Sequence, residues 1–128
     1  MIEHHSLTDW TLDAVPVDAM RVWSAAARDT NPIHIDPAAA EALGFGPRCI
    51  NPGPINLAYI VNMLEAALPD AEITHIEARF SGNVAAGDSV VAQGRMTGEA
   101  QDHVTASLRR IKGEETLLSA DITIRQRP

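Results

Sequence analysis

The stretch from Asp29 to Asp36, read as Asp-Thr-Asn-Pro-Ile-His-Ile-Asp, places an acid and a histidine close together in the chain. Asn31 and Pro32 lie between them, and proline both fixes its own backbone and disfavours helix in the residue before it. The chain must therefore bend there. Such a bend can turn the carboxylate of Asp29 and the imidazole of His34 toward one pocket, where they would hold a water molecule and move protons at neutral pH.

The same residues also have an ordinary structural explanation. Asp, Asn and Pro are common turn residues, so Asp29 can simply cap a helix and His34 can be a half-buried loop residue bonded to backbone. Asp36 followed by Pro37 is typical of a helix start, because the aspartate accepts from free amides and proline has none to lose. On spacing alone, an acid–base site and a simple turn both stay open.

Other kinds of chemistry find less support. The sequence contains no Gly-x-Ser-x-Gly motif, no P-loop and no Gly-x-Gly-x-x-Gly. A metal ion would need a third ligand beside His34 and Asp36, and His4 and His5 do not supply one at a defined position. Cys49 is the only cysteine, which excludes an intrachain disulfide and a thiolate cluster. We therefore expect neither a metal nor a cofactor.

The composition predicts one acidic globular domain over residues 1–128. The chain is 45% hydrophobic, enough to bury a core. Its net charge is −7, with 10 Lys and Arg against 17 Asp and Glu, which argues against binding to nucleic acid. No apolar run approaches the roughly 20 residues that span a bilayer, and no leader follows Met1. A cytoplasmic protein that does not bind membranes is expected.

The first half of the chain is predicted to be helical. A short strand candidate, Asp9–Leu12, precedes a helix that opens at Pro16-Val17-Asp18. Its predicted core residues are Met20, Val22, Trp23, Ala26 and Ala27. A short helix, Pro37–Leu43, follows the octet. The helix from Gly53 onward has only Asn56, Asn62 and Glu65 as polar positions before its end, so we expect it to be buried on nearly every side.

The second half is predicted to form an antiparallel sheet. Apolar residues alternate in four runs, whose inward sets are Thr74, Ile76, Ala78 and Phe80; Val90, Ala92, Gly94 and Met96; Val104, Ala106 and Leu108; Leu118, Ala120, Ile122 and Ile124. The breaks at 86–88, 98–102 and 112–114 have the length of hairpin turns. With an N-terminal strand, about five strands would curl around the long helix, the α+β hotdog fold, although a flat sheet with a helix laid across it also fits. Exposed edge strands would favour a homodimer or a dimer-based oligomer.

Three stretches resemble one known family. Residues 28–45, RDTNPIHIDPAAAEALGF, resemble the hydratase motif Gly-Asp-x-Asn-Pro-x-His-x-Asp of the MaoC-like and (R)-specific enoyl-CoA hydratases. Residues 52–60, PGPINLAYI, resemble the start of the family's central helix, and residues 78–90, ARFSGNVAAGDSV, resemble its strand-turn-strand segment. The resemblance implies a hotdog domain that adds water reversibly to a trans-2-enoyl-CoA, giving an (R)-3-hydroxyacyl-CoA. Coenzyme A would be part of the substrate and not a cofactor.

The resemblance also implies a role for each matching residue. Asp29 would activate the water that attacks C3, His34 would help to hold it and deliver a proton to C2, and Asn31 would orient the loop or the water. The backbone amide of Gly53 would meet the thioester oxygen, as expected of a free donor at a helix N-terminus. Substrate contacts are assigned to Asn51, Asn56 and Tyr59, although apolar residues at helical spacing, Tyr59 among them, more often belong to a plain core.

The chain departs from the family pattern at two places. Arg28 stands where the family usually has Gly before the aspartate, and Asn51-Pro52-Gly53-Pro54 replaces the usual His-Gly before the central helix. Pro54 has no amide and cannot be a second donor to the thioester oxygen.

Two alternatives follow. The first is a hotdog acyl-CoA thioesterase, which usually carries its carboxylate on the central helix, where this chain offers only the late Glu65. The second is a non-catalytic acyl-CoA-binding partner subunit of a larger hydratase. The presence of both Asp29 and His34 argues against that subunit, and Pro54 argues for it.

Overall fold

The computed structural model describes residues 5–127. In chain order, the strands are β1 (His5–Ser6), β2 (Trp10–Leu12), β3 (Ala71–Phe80), β4 (Val90–Thr97), β5 (His103–Arg110) and β6 (Thr116–Gln126). The helices, all before β3, are α1 (Val17–Ala27), a 3₁₀ turn (Pro32–His34), α2 (Pro37–Ala42) and α3 (Gly53–Ala67). Within residues 5–127, no helix has both the length and the apolar character to cross a membrane.

The strands form one antiparallel sheet. Its order is β1-β4-β5-β6-β3, and β2 pairs with β4 beside β1. The strand predicted at Asp9–Leu12 is present as β2, and β1 is an additional short strand, so the sheet has six strands where about five were expected. The predicted hairpin at residues 86–88 is wrong, because β3 pairs with β6 and the turn carries the chain to the opposite side of the sheet.

The long helix α3 packs chiefly on β4 and β5, which confirms the predicted α+β arrangement of a central helix against an antiparallel sheet. Of the inward positions predicted for the last three strands, all but the half-buried Gly94 are buried: Val90, Ala92, Met96, Val104, Ala106, Leu108, Leu118, Ala120, Ile122 and Ile124. The alternation is interrupted at Val91 and Leu117, which are buried as well. Helix and sheet approach closely at Gly94, where an added Cβ would lie only 2.7 Å from Cε of Met63.

Three predictions of burial are wrong. On α3, Ala58 and Ala66 are exposed, since only one side of the helix lies on the sheet. On α1, Met20 and Ser24 are buried and Trp23 is half-buried, but Ala26 and Ala27 are exposed and Val22 is 70% exposed. On β3, Thr74, Ala78 and Phe80 are exposed because this strand lies at the sheet edge away from β4.

Candidate active site

The end of α1 turns the chain so that Asp29 leaves the helix. Arg28 adopts the left-handed conformation, with φ 54° and ψ 36°, and its N–H donates to Ala25 O and Ser24 O. The amide of Asp29 also donates to Ser24 O, at 2.9 Å. This conformation suits glycine and costs other residues about 1 kcal/mol or more. The chain therefore accepts backbone strain directly before the candidate catalytic acid.

The turn after Asp29 is built from its polar side chains. Asp29 Oδ1 accepts from the amide of Asn31 at 2.9 Å. Asn31 Oδ1 accepts from the amide of Ile33 at 3.3 Å, which caps the 3₁₀ turn. Asp36 accepts from the amide of Ala38 at 3.0 Å, so the predicted start of α2 is confirmed. The oxygen of Asn31 is thus bonded within the loop, and its role in orienting the loop or a water molecule for catalysis stays a prediction.

His34 is buried at the end of this turn and is held by backbone from another segment. Its Nδ1–H donates to Ile50 O at 2.7 Å, and the amide of Ile50 donates back to Ile33 O at 2.8 Å. Trp23 packs edge-on against the ring, with centroids 6.2 Å apart. Because a carbonyl can only accept, the Nδ1 atom must carry a proton. Nε2 is the nitrogen left for chemistry.

The bend brings the carboxylate of Asp29 and the imidazole of His34 together. The distance from Nε2 of His34 to Oδ2 of Asp29 is 3.5 Å, and the two side chains are 10% and 29% exposed. A hollow of about 410 Å³ lies beside Asp29, lined also by Arg21, Ser24, Ala25 and Ile35. A small molecule in this hollow can reach the acid of the pair, while the histidine stays sheltered.

Gly53 is the first residue of α3, so its amide is among the helix donors that have no acceptor within the helix. Pro54 follows at the next position and offers no second donor. The ring of Phe80 covers this turn, and a Cβ on Gly53 would lie 3.1 Å from Cε1 of that ring. Only Asn51 and Pro52 separate Ile50 from Gly53. One short segment therefore carries both the carbonyl that holds His34 and the amide of Gly53.

Asn51 bonds both Asn56 and Tyr59 inside the protein. Asn51 Nδ2 donates to Asn56 Oδ1 at 2.7 Å and to Tyr59 Oη at 3.3 Å. All three residues are buried, and Trp10 stacks on the ring of Tyr59 with centroids 5.2 Å apart. Burial raises the pKa of Tyr59, and the hydrogen bond from Asn51 offsets part of that rise. The amide donors of Asn51 are engaged within this triad, and a contact with substrate stays a prediction.

One buried acid near the site had no role predicted from the sequence. Asp88 accepts from Arg48 Nη1 at 2.8 Å, from Arg110 Nε at 3.1 Å and from the amide of Ala85 at 2.9 Å. Burial raises the pKa of Asp88, but the amide and the two guanidinium groups lower it by more, so the net pKa lies below the usual range. Its position in the Ala-Gly-Asp turn was visible in the sequence, but its partners lie far away in the chain.

The side chains that could ligate a metal ion are dispersed in the described part of the chain. Among residues 5–127, no three His, Cys, Asp or Glu side chains are grouped as ligands of a metal ion. His4, which was considered as a ligand from the sequence, lies outside these residues.

Comparison with known proteins identifies relatives of the chain. The family model described as "MaoC like domain" matches residues 8–117. No curated protein sequence gives a significant match.

Solved structures match nearly the whole chain at low sequence identity. The unliganded R-hydratase PhaJ1 from Pseudomonas aeruginosa has a TM-score of 0.82 at 16% identity, covering 98% of this chain and 89% of that one. The (R)-hydratase from A. caviae involved in PHA biosynthesis has a TM-score of 0.77 at 20% identity, covering 100% and 95%. A chain of the ChsH1-ChsH2 complex from Mycobacterium tuberculosis has a TM-score of 0.80 at 20% identity, covering 95% of each. These matches show that the fold is the hotdog fold.

Proposed function

Because the chain belongs to the MaoC-like domain family, we propose that it is an enoyl-CoA hydratase and 3-hydroxyacyl-CoA dehydratase. It would add water reversibly to a trans-2-enoyl-CoA and give the (R)-3-hydroxyacyl-CoA. The observation that carries this proposal is the pairing of Asp29 Oδ2 with His34 Nε2 at 3.5 Å beside an open hollow. The similarity to two proteins named as (R)-hydratases supports the same reaction.

The Asp29–His34 pair would hold and activate the attacking water. In the reacting form of the pair, Nε2 of His34 would carry a proton and Asp29 would carry none. Water would then donate to Asp29 Oδ2 and accept from Nε2–H. Asp29 takes a proton as the water oxygen bonds to C3, and His34 delivers the Nε2 proton to C2. The proton on Asp29 then returns to Nε2 across the 3.5 Å gap, which restores the pair.

The thioester oxygen becomes an enolate oxygen during this addition and needs donors. The amide of Gly53, at the positive end of the α3 dipole, would be the donor for that oxygen. Asn51 cannot readily add a second side-chain donor, because its amide group bonds Asn56 and Tyr59. We therefore assign the oxyanion contact to Gly53 alone. Asn51, Asn56 and Tyr59 would form the polar wall behind it.

A second copy of the chain, or a similar subunit, is proposed to complete the assembly. Among the described residues β3 pairs only with β6, so its other edge leaves backbone donors and acceptors open along 10 residues. One of the matched structures is a complex of two named proteins, ChsH1 and ChsH2. A sedimentation experiment should therefore give a mass of at least twice that of one chain, and a monomer at micromolar concentration would contradict this part of the proposal.

A non-catalytic partner subunit is the second candidate, and one observation favours it. Pro54 removes the helix amide that follows Gly53, which leaves the developing oxyanion with a single backbone donor in this turn. A subunit that no longer stabilises the enolate would still bind an acyl-CoA in the hollow and assemble with a catalytic relative.

The test is direct. The purified protein is mixed with crotonyl-CoA and with a longer trans-2-enoyl-CoA, and double-bond loss, thiol release and product chirality are followed together. Loss of the double bond to an (R)-3-hydroxyacyl-CoA without free thiol is expected. Thiol release without hydration would instead indicate a thioesterase. No reaction with either substrate, combined with measurable acyl-CoA binding, would support the partner subunit.

A further inference from the structure

We propose that Asp88, together with Arg48 and Arg110, positions the imidazole of His34 through the backbone of Ile50. Asp88 would be a positioning residue for the hydration reaction, and the inference rests on that proposed function. No hydrogen bond among the described residues joins Asp88 directly to His34. The two residues are connected through two short backbone segments.

The first step is the fixation of the turn that contains Asp88. Its carboxylate is 7% exposed and binds three donors: the amide of Ala85 and the guanidinium groups of Arg48 and Arg110. Arg48 Nη1 also donates to Ala86 O at 3.1 Å, and Arg110 Nη2 donates to Asn83 O at 2.7 Å. Each arginine therefore bridges the carboxylate and a carbonyl of the same turn. Residues 83–88 are held as one rigid piece.

The second step connects this turn to the segment before α3. Ala86 N donates to Cys49 O at 2.8 Å, and Asn51 N donates to Val84 O at 2.7 Å. Between these two bonds Ile50 and Ala85 form an antiparallel bridge. Arg48 comes directly before this segment, so its ion pair with Asp88 fixes the residue at which the segment begins. The position of the Ile50 peptide is thus set by the turn of Asp88.

The third step leads from Ile50 to the histidine. The carbonyl of Ile50 receives the Nδ1–H of His34, and the amide of Ile50 holds the carbonyl of Ile33 next to it. If the Ile50 carbonyl moves away, Nδ1 loses its acceptor and nothing prevents the proton from residing on Nε2 of a neutral ring. With its only proton on Nε2, His34 could give that proton to C2 only by becoming an imidazolate, whereas a ring whose Nδ1–H is held by Ile50 would stay neutral after the same transfer. At histidines that bind metal ions, loss of the partner that orients the ring through its second nitrogen typically lowers activity about 10–100-fold, and we expect an effect of similar size for His34.

A purely structural role for Asp88 makes a different forecast. Removal of the ion pairs would then lower the melting temperature while the ring nitrogens of His34 kept their protonation pattern and kcat stayed unchanged. The tautomer of the His34 ring therefore distinguishes the two roles. It is measured at pH 8 by ¹⁵N NMR of histidine-labelled protein.

The experiment compares wild type with Asp88→Asn, Arg48→Met and Arg48→Lys. Arg48 is half-exposed, so its replacement spares the core and keeps the test possible if Asp88→Asn fails to fold. We expect the share of the Nδ1–H tautomer and kcat to fall in Arg48→Met and Asp88→Asn, kcat by about 10-fold or more with KM changed less than about 2-fold. Arg48→Lys keeps a donor for Asp88 and should restore most of both.

Glu72→Gln is the matched control, because it removes an ion pair with Arg125 that lies on exposed strand positions of β3 and β6. It should leave the His34 tautomer and kcat unchanged. Folded Asp88→Asn or Arg48→Met protein with the wild-type tautomer and the wild-type kcat overturns the proposal. If wild type hydrates no enoyl-CoA, the proposed function fails, yet the tautomer comparison still decides whether Asp88 positions His34.

Discussion

The Nε2 atom of His34 faces the Oδ2 atom of Asp29 at 3.5 Å while the Nδ1–H of the same ring is held by the carbonyl of Ile50 at 2.7 Å. With Nδ1 protonated, a neutral ring presents an acceptor to a carboxylate that also only accepts. Hydrogen atoms must therefore come from a second ring proton or from a water molecule between the two groups. Either source fits the proposed role of the pair, in which a water molecule would be held between Asp29 and His34.

Asp29→Asn should lower the rate of enoyl-CoA hydration by about 100-fold or more, because the amide cannot take a proton from water. The fold should survive, since the Asn side-chain oxygen can still accept from the amide of Asn31. Initial rates with crotonyl-CoA and circular dichroism measure both effects. Asp36→Asn is the control: asparagine caps helices as well as aspartate, so α2 and the rate should persist. A full rate in Asp29→Asn would contradict the mechanism but not the fold.

Gly53→Ala should lower kcat/KM by about 10-fold or more if the thioester oxygen approaches the Gly53 amide, because a methyl group would stand in its way. The same methyl group also meets the ring of Phe80, which is 52% exposed and can move aside. The double variant Gly53→Ala with Phe80→Ala separates the two effects. Activity that stays low in the double variant supports the oxyanion role, whereas recovery to the level of Phe80→Ala alone would assign the loss to the collision with Phe80.

Arg28→Gly should stabilise the protein by about 0.5–1 kcal/mol, because glycine adopts the left-handed conformation of residue 28 without a Cβ penalty. Ala26→Gly, on the exposed side of the same helix, should destabilise it by about 1 kcal/mol. Urea unfolding measures whether the free energy of unfolding rises in Arg28→Gly and falls in Ala26→Gly. A destabilised Arg28→Gly protein would mean that the Arg28 side chain contributes more than its backbone strain costs.

Asp88 should make the fold acid-sensitive in a defined direction. Its pKa is lowered in the folded protein, relative to an unfolded value of about 3.9, so its carboxylate stabilises the fold above about pH 4. This contribution is lost as the pH falls through the lowered pKa. The difference in free energy of unfolding between wild type and Asp88→Asn should therefore be largest near neutral pH and shrink below about pH 4. A difference that stays constant down to pH 3 would contradict the assignment.

Much of the sheet could be predicted because its pattern is local. Val104, Ala106 and Leu108 alternate with polar residues since one side of β5 faces α3 and the other faces water. Val22 has the helical spacing of a core residue, yet α1 buries only the stripe of Met20 and Ser24. The partner of β3 could not be predicted either, because a turn of hairpin length does not determine which strand lies next to which.

The candidate site also has features that the local sequence predicts and features that it does not. Asp29 and His34 could be placed together because Asn31 and Pro32 bend the chain between them. The bond from His34 to Ile50 spans 16 residues and involves a backbone atom, so no side-chain pattern announces it. The ion pair of Arg48 with Asp88 spans 40 residues and depends on how two loops meet. Spacing thus predicts the candidate pair, while the orientation of its side chains depends on contacts that only the folded chain creates.

The pairing of β3 with β6 also sets the order in which this protein can fold. β4, β5 and β6 follow one another through short turns, but the β3–β6 ladder joins residues 71–80 to residues 118–126 across both hairpins. The chain between β3 and β6 forms a much longer loop than the turn between β4 and β5, and closing it costs more chain entropy before its contacts form. We therefore expect β3 to dock after β5. Pulsed hydrogen exchange should show β5 amides protected first, and simultaneous protection would contradict this order. Because Phe80 ends β3 and lies on Gly53, the first turn of α3 would gain its covering ring only in the last stage of folding.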